Sequence, residues 1–215
     1  MTILSEGNHA AAFLVSEATG TRSRERITVS NGETLAAGAV LGKVTLGAAT
    51  PAPFPGNAAN TGTIATVSLG AGAKAGVYKL VIIEPASNAG TFTVEDPDGV
   101  TIGTGTVGVE FTGGGLTFTV ADGATDFKAG EGFTITVAAG SGKYRGYDPA
   151  NTDGSQSAVA VLFAAVDAAA ADRPSVAIVR DAEVSAAELS WFTGATANQK
   201  AAGLAQLVLA HIIAR

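Results

Sequence analysis

The segment from Tyr144 to Asp172 constrains the fold of this chain more than any other stretch. It begins with turn-forming residues from Asp148 to Gly154 and then runs apolar, without a charge, from Ala158 to Val166. A run of this length, rich in Val and Leu and entered from a turn, predicts a strand buried on both faces, with a short buried helix as the alternative. Because it contains no nucleophile, metal ligand or general base, we expect it to build a core or a subunit contact.

A different composition precedes this segment. Residues 61–137 are rich in Gly and Thr, and turn signals separate six short runs of β-type residues. The six runs are Thr63–Ser68, Val77–Ile83, Thr91–Glu95, Thr101–Val107, Leu116–Val120 and Phe133–Val137. Short strands with frequent turns are typical of a small sandwich or barrel. Residues two apart share a strand face, so the predicted core consists of Phe92, Val94, Phe118, Val120, Phe133, Ile135 and Val137.

The flanks of this module differ from it. Alternating prolines at 51, 53 and 55 predict a linker on its N-terminal side. After it, Val176–Arg180 predicts a strand, and Thr196 with Gln199 fits a capping box that starts a helix over roughly residues 197–210. Ala201, Leu204, Leu207 and Val208 fall on one predicted face of that helix. Ile212-Ile213 could form a last short strand.

These patterns predict an α+β, mostly β fold. We expect a discontinuous base domain of residues 31–50 and 144–215, with one C-terminal helix, and an inserted all-β, sandwich-like domain of residues 56–140. In the base, Gly38 and Gly42 are expected at bends or close approaches of the backbone.

Residues 1–30 show weak periodicity. We expect them to form an arm, either frayed and ending in an edge strand at Ile27–Val29, or ordered by strand addition to a partner. Asn31-Gly32 then predicts a hairpin-type turn. The N-terminus lacks a basic region and a long apolar stretch, so we expect synthesis in the cytoplasm without a signal peptide.

The composition argues against several classes of function. A net charge of −6 and a pI near 4.8 argue against nucleic acid as a partner, because phosphates require a basic face. No apolar run approaches the roughly 18 residues that span a bilayer, so we expect no membrane partner. Charged residues make up only 15%, against about 25% in a typical domain, which favours a chain that covers surface by assembling.

Three motifs are weak candidates for chemistry. Gly103, Gly105 and Gly108 match the dinucleotide fingerprint literally, but no helix pattern follows them. Asp96-Pro97-Asp98-Gly99 lacks the further ligands of a calcium loop and reads as a turn. His9 and His211 lie near opposite ends, without an acid and nucleophile at motif spacing. We therefore predict no enzymatic activity, no cofactor and no metal site.

Short matches in the flanks, taken in order, resemble one family. They are Ser23–Glu25, Leu35–Lys43 (LAAGAVLGK), Tyr147–Ser157 (YDPANTDGSQS), Val179–Val184 (VRDAEV), Leu189–Trp191 and Gln199–Ala202 (QKAA). Together they resemble the head decoration proteins of lambda-like tailed phages. The resemblance covers residues 1–50 and 144–215, while residues 56–140 resemble β-sandwich modules inserted in other phage structural proteins.

The resemblance implies a protein on the outer surface of the virion. It implies a homotrimer at the three-fold positions of the expanded head, whose N-terminal arm contacts the major capsid protein. The arm residues expected to bind the capsid are Phe13, Leu14, Val15, Arg22, Arg24 and Glu25. The residues expected in the core or the trimer contact are Tyr144, Val161, Phe163 and Trp191. Two alternatives remain open: an adhesion module that binds glycans or the host surface through the insert, and a tail-tube subunit.

Overall fold

The computed structural model describes residues 7–215, so the first six residues of the predicted arm lie outside the described part. The chain divides into two compact units. The base unit comprises Met1–Val44 and Gly142–Arg215, and the inserted unit comprises Thr45–Ser141. Strands dominate both units and the one long helix is C-terminal, which confirms the predicted mostly β fold class.

The base unit contains a five-stranded closed barrel, a three-stranded sheet and a two-stranded sheet. Its strands are β1 (Leu14–Glu17), β2 (Arg24–Val29), β3 (Glu33–Leu35), β4 (Val40–Lys43), β13 (Tyr144–Gly146), β14 (Ala158–Leu162), β15 (Val166–Ala168), β16 (Arg173–Ile178), β17 (Ala182–Val184) and β18 (Ile212–Ala214). Its helices are α1 (Gly20–Ser23) and α2 (Ala197–Val208), with a 3-10 turn at Ala186–Glu188.

The barrel has the strand order β13-β2-β16-β14-β4, and the other two sheets are β1-β17-β18 and β15-β3. The apolar run forms β14, in which Ala160, Val161 and Leu162 are fully buried, so the prediction of a buried strand is confirmed. The strand ends at Leu162, however, and Val166 begins the separate strand β15. The run is therefore one barrel strand followed by a turn.

Two glycines in the base stand at the close approaches that the sequence predicts. A Cβ on Gly42, in β4, would lie 2.1 Å from the carbonyl oxygen of Ser155. Gly38 has a φ of +77°, and its Cβ would lie 2.7 Å from the carbonyl oxygen of Glu188. Ser155 is fully buried, and its hydroxyl bonds Asp153 and Asn151 within the turn that precedes β14. The turn is thus packed directly onto the barrel.

Helix α2 begins with the predicted capping box. The Thr196 hydroxyl accepts from the Gln199 backbone N–H at 3.3 Å, and the Gln199 side chain accepts from the Thr196 N–H at 2.9 Å. The Gln206 side chain accepts from the backbone N–H of Ala158, which ties the helix to β14. Of the four residues predicted on one face, Leu207 is buried and Leu204 half-buried, whereas Ala201 and Val208 are exposed, so the four do not share one buried face.

The N-terminal region is more ordered than the sequence predicts. Ile27–Val29 does not form an edge strand, because β2 pairs with both β13 and β16 in the barrel. Asn31 and Gly32 do form a turn, but it makes no hairpin: β3 pairs with β15 instead of β2. Phe13 is completely buried in the same apolar cluster as Val161. The described residues from 13 to 30 are thus folded into the base unit instead of forming a frayed arm.

The inserted unit consists of two antiparallel sheets over one core. Its strands are β5 (Leu46–Pro53), β6 (Gly62–Leu69), β7 (Gly76–Ala86), β8 (Ala89–Glu95), β9 (Thr101–Thr106), β10 (Glu110–Gly113), β11 (Leu116–Asp122) and β12 (Gly132–Ala139). The sheet orders are β5-β12-β7-β8-β9 and β10-β11-β6. All seven residues of the predicted core are buried. The predicted proline linker is wrong, because Pro51 and Pro53 belong to β5 and pair with β12.

Two of the three glycines that match the dinucleotide fingerprint, Gly103 and Gly105, make room for aromatic rings. A Cβ on Gly105 would lie 2.4 Å from the ring of Phe92, and one on Gly103 would lie 3.1 Å from the ring of Phe111. Phe92, Phe111 and Phe118 form a cluster with ring centroids 5.1–6.2 Å apart. These glycines therefore serve packing within the inserted unit.

Candidate assembly surfaces

The exposed large apolar side chains of the base unit lie in the sheet β1-β17-β18 and at the end of helix α2. Among its described residues they are Val15 (58% exposed), Val208 (51%), Leu209 (85%) and Ile213 (41%). Val15 lies in β1, Val208 and Leu209 end helix α2, and Ile213 lies in β18. No strand of the barrel carries such a residue. The apolar surface available for assembly is thus at the two ends of the sheet β1-β17-β18 and at the adjoining helix end.

The pairing of this sheet explains why Ile213 faces outward. Ser16 pairs with Glu183, and Glu183 pairs with Ile213, so this row of residues lies on one face. The neighbouring row places Ala182 beside Ile212, and both are buried. An irregularity between Leu14 and Ser16 interrupts the alternation at Val15. The outer face therefore combines polar and apolar residues.

The arm residues of the sequence prediction are held by charged contacts within the base unit. Glu17 of β1 forms an ion pair with Arg24, and the Arg24 hydrogen bond lowers the pKa of the Glu17 carboxyl. The Arg24 guanidinium also lies 4.2 Å from the ring centroid of Phe163. The predicted arm and the predicted core are consequently joined through Arg24 and Phe163.

Two further arm residues form ion pairs at the surface. Arg22 donates to Asp181 at 2.9 Å, and His211 lies 3.2 Å from the other oxygen of the same carboxylate. The His211 hydrogen bond, with help from Arg22, lowers the pKa of Asp181. Glu25 pairs with Arg180. These contacts join the beginning of the chain to the segment before β17, and exposed pairs of this kind contribute little to stability.

The predicted core or trimer residues occupy different environments. Val161 is fully buried, while Tyr144, Phe163 and Trp191 are half-buried. Trp191 packs edge-on against Tyr147 with ring centroids 6.0 Å apart, and it covers Gly203 of α2. Burial raises the pKa of Tyr144, whose ring lies 5.6 Å from the Lys43 ammonium. Val161 and Trp191 thus hold the base together internally.

A cavity of about 290 Å³ opens in the base unit beside Trp191. Glu33 and Arg145 line it, and they form an ion pair at 3.2 Å. Arg145 also bonds Asp153, and the Glu33 carboxylate also accepts from the Gly146 N–H. Glu33 and Arg145, two of the charged residues that line the cavity, are therefore engaged with each other.

In the inserted unit, Lys74 forms ion pairs with both aspartates of the predicted Asp-Pro-Asp-Gly turn. The Lys74 ammonium donates to Asp96 and Asp98 at 2.6 Å each, while the other Asp96 oxygen accepts from the backbone N–H groups of Asp98 and Val100. The Lys74 hydrogen bond is the main reason why the pKa of Asp96 is lowered. A side-chain cation thus occupies the place that the calcium alternative would require.

The described part of the chain, residues 7–215, contains no group of three or more His, Cys, Asp or Glu side chains that could hold a metal ion. No helix in this part of the chain is both long and apolar enough to cross a membrane.

Residues 3–212 match the family of bacteriophage lambda head decoration protein D, and the match runs through both units. The chain belongs to this family. The decoration protein is accordingly a structural component of the virion and not an enzyme. It sits on the surface of the capsid, which it decorates and stabilises.

Other comparisons add little to this result. No curated protein matches the chain. Two crystal structures of FlgL from Xanthomonas campestris, in space groups H3 and C2, match at 18% identity with a TM-score of 0.33. Each match covers 51% of the decoration protein and about a third of FlgL, at 34% and 33%. A likeness of this size does not define a shared fold.

Reasoning from the sequence missed the apolar residues at the end of α2. The only signal was that Val208-Leu209 extends past the core-facing row of Leu204 and Leu207. A second adjacent apolar residue cannot share the buried face of a helix that is already filled. The presence of two further apolar residues after the buried row could have marked Leu209 as a surface residue of the decoration protein.

Proposed function

We propose that the protein binds the expanded phage head as a homotrimer at the three-fold positions and contacts the major capsid protein there. Membership of the decoration protein family is the observation that carries this proposal. The apolar surface on β1, β18 and the end of α2 supports it, because a protein of such low charge with an uncovered apolar surface is suited to assembly.

The capsid contact is proposed for the beginning of the chain, ahead of the buried Phe13. Residues 7–12 precede β1, and most of them are exposed. The Asn8 side chain donates to the carbonyl of Glu188, and the Ala11 N–H donates to the carbonyl of Phe163, so this exposed stretch starts from a fixed point on the base. Leu14 and Arg24 are engaged within the base, so the capsid-binding part of the proposed arm is shorter than residues 1–30.

The mechanism is mechanical. Each trimer presents three arms to neighbouring capsid subunits, so that each arm can bind weakly while the trimer binds firmly. A trimer held in this way links capsid subunits across the three-fold position. The lattice then resists outward pressure from packed DNA without any chemical step.

The test mixes purified protein with expanded heads that lack decoration, and with unexpanded heads as the control. We expect saturable binding to expanded heads only, with light scattering of the free protein giving three times the 21.2 kDa chain mass. Deleting residues 2–7 should weaken binding and leave the mass of the free protein unchanged. A longer deletion through residue 20 is unsuitable, because it also removes the buried Phe13.

Two results would contradict the proposal. Equal binding to expanded and unexpanded heads would remove the requirement for expansion. Full binding by the variant that lacks residues 2–7 would remove the arm from the capsid contact.

A further inference from the structure

We propose that the trimer closes through edge-to-edge pairing of the three-stranded sheet, with β1 of one copy against β18 of the next. This inference rests on the proposed trimer and names the surfaces that form it. The sheet order β1-β17-β18 leaves one side of β1 and one side of β18 without a strand partner among the described residues. The two sides lie at opposite ends of one sheet.

Symmetry requires two different contact surfaces for a three-fold ring. A two-fold contact uses the same patch on both subunits, whereas a closed trimer joins one patch to a different patch on the next subunit. The base unit provides two different strand edges in one sheet. Joining them head to tail around three copies would leave neither edge unpaired.

The side chains at the two edges fit this contact. Of the exposed large apolar residues in the described base unit, Val15 belongs to β1, Ile213 belongs to β18, and Val208 with Leu209 precedes β18. Edge strands that remain in water are often very short, and many carry lysine or proline. β1 and β18 are short but contain neither residue, and the single charge of β1, Glu17, is paired with Arg24.

The strands are short, with four and three residues, so backbone pairing supplies only a few hydrogen bonds. The apolar contact must therefore supply most of the affinity. Leu209, at 85% exposure, has the most surface to lose in such a contact. It is the residue whose replacement by a charge should affect trimer formation most.

Disulfide cross-linking tests the pairing directly, because the chain contains no cysteine. Strand β17 separates Ser16 from Ile213 within one chain, which places them two strand spacings or about 9.5 Å apart. A disulfide requires Cα atoms closer than about 7 Å, so a bond between these positions must join two chains. The variants are Val15→Cys with Ile213→Cys, and Ser16→Cys with Ile213→Cys, which cover two registers.

Under mild oxidation at least one double variant should give covalent trimers on a denaturing gel. Each single variant should stay a single chain, and mixed single variants should give dimers. The matched control is Val100→Cys with Val109→Cys in the inserted unit, where both residues are 57% exposed, and it should give no trimers. In parallel, Leu209→Glu should lower the fraction of trimer at least tenfold by light scattering, while Val109→Glu should not.

The outcomes separate this inference from the proposed function. A wild-type trimer that neither double variant links, and that Leu209→Glu leaves intact, overturns the edge pairing while the trimer stands. Dimers from Val15→Cys alone indicate a two-fold contact and also overturn it. A wild-type protein that stays monomeric at all concentrations contradicts the trimer itself, and the edge pairing falls with it.

Discussion

Replacing Gly42 by alanine tests whether the turn before β14 is locked onto the barrel. The added methyl carbon would lie 2.1 Å from the carbonyl oxygen and 2.5 Å from the Cα of Ser155, both of which are backbone atoms. Neither side can move easily, since β4 pairs with β13 and β14, and buried Ser155 is bonded to Asp153.

The expected loss follows from two opposing effects. Overpacking of this severity costs about 3 kcal/mol, at the upper end of its usual range. Alanine recovers about 0.5–1 kcal/mol in a strand because glycine loses more backbone freedom on folding. The net loss of about 2 kcal/mol should lower the unfolding midpoint of the base unit by roughly 6–10 °C.

Tryptophan fluorescence measures this loss in the base unit alone. Trp191 is the only tryptophan of the chain and lies in the base. Gly20→Ala is the matched control, because its methyl carbon would approach only the Arg24 side chain, at an ordinary 3.6 Å. Equal midpoints for Gly42→Ala and Gly20→Ala would refute the reasoning.

Three further predictions concern other contacts. Phe13→Ala should destabilise the base by about 3–4 kcal/mol in urea unfolding followed by fluorescence, whereas Val15→Ala, at an exposed position, should have little effect. Equal effects of the two substitutions would mean that Phe13 is not part of the core. Gly203→Ala should lower the fluorescence midpoint, because overlap with a tryptophan ring at 2.7 Å outweighs a gain in helix propensity of about 1 kcal/mol; a higher midpoint would contradict this. Lys74→Met should destabilise the inserted unit in calorimetry at pH 7. Because the folded pKa of Asp96 is lowered, its stabilising contribution is present above the ordinary carboxyl range and is lost as the pH falls below about 4. The difference in stability between Lys74→Met and wild type should therefore shrink at pH 3. A difference that stays constant with pH would contradict a stabilising Lys74–Asp96 ion pair.

The inserted unit was the more predictable of the two because its signals are local. Phe92 and Val94 alternate within one strand, and glycine-rich turns separate neighbouring strands that pair with one another. The prolines misled because β5 is an edge strand, which tolerates residues without an N–H on its unpaired side. Nothing at Pro51 itself shows that β12 lies beside it.

The N-terminal region was less predictable because its partners are distant in sequence. β1 pairs with β17, and Leu14 lies opposite Val184. Most residues of the apolar cluster that contains Phe13 come from the C-terminal half, so little in its own sequence neighbourhood marks it as buried. The capping box of α2, in contrast, involves only Thr196 and Gln199 and could be identified directly.

The proposed surfaces could be located only in part. Resemblance to the family directed attention to residues 1–30, but most of the positions named there have partners within the base. The exposure of Leu209 and Ile213 depends on how α2 and β18 pack against the rest of the unit. A sequence pattern does not contain that information.

The most direct test of the mechanical role is DNA retention by heads of known occupancy. DNA-filled heads without decoration would be mixed with increasing amounts of the purified protein, heated in steps, and assayed for DNA accessible to nuclease. We predict that the rupture temperature rises with occupancy and levels off when binding saturates. Saturated binding with an unchanged rupture temperature would contradict the account.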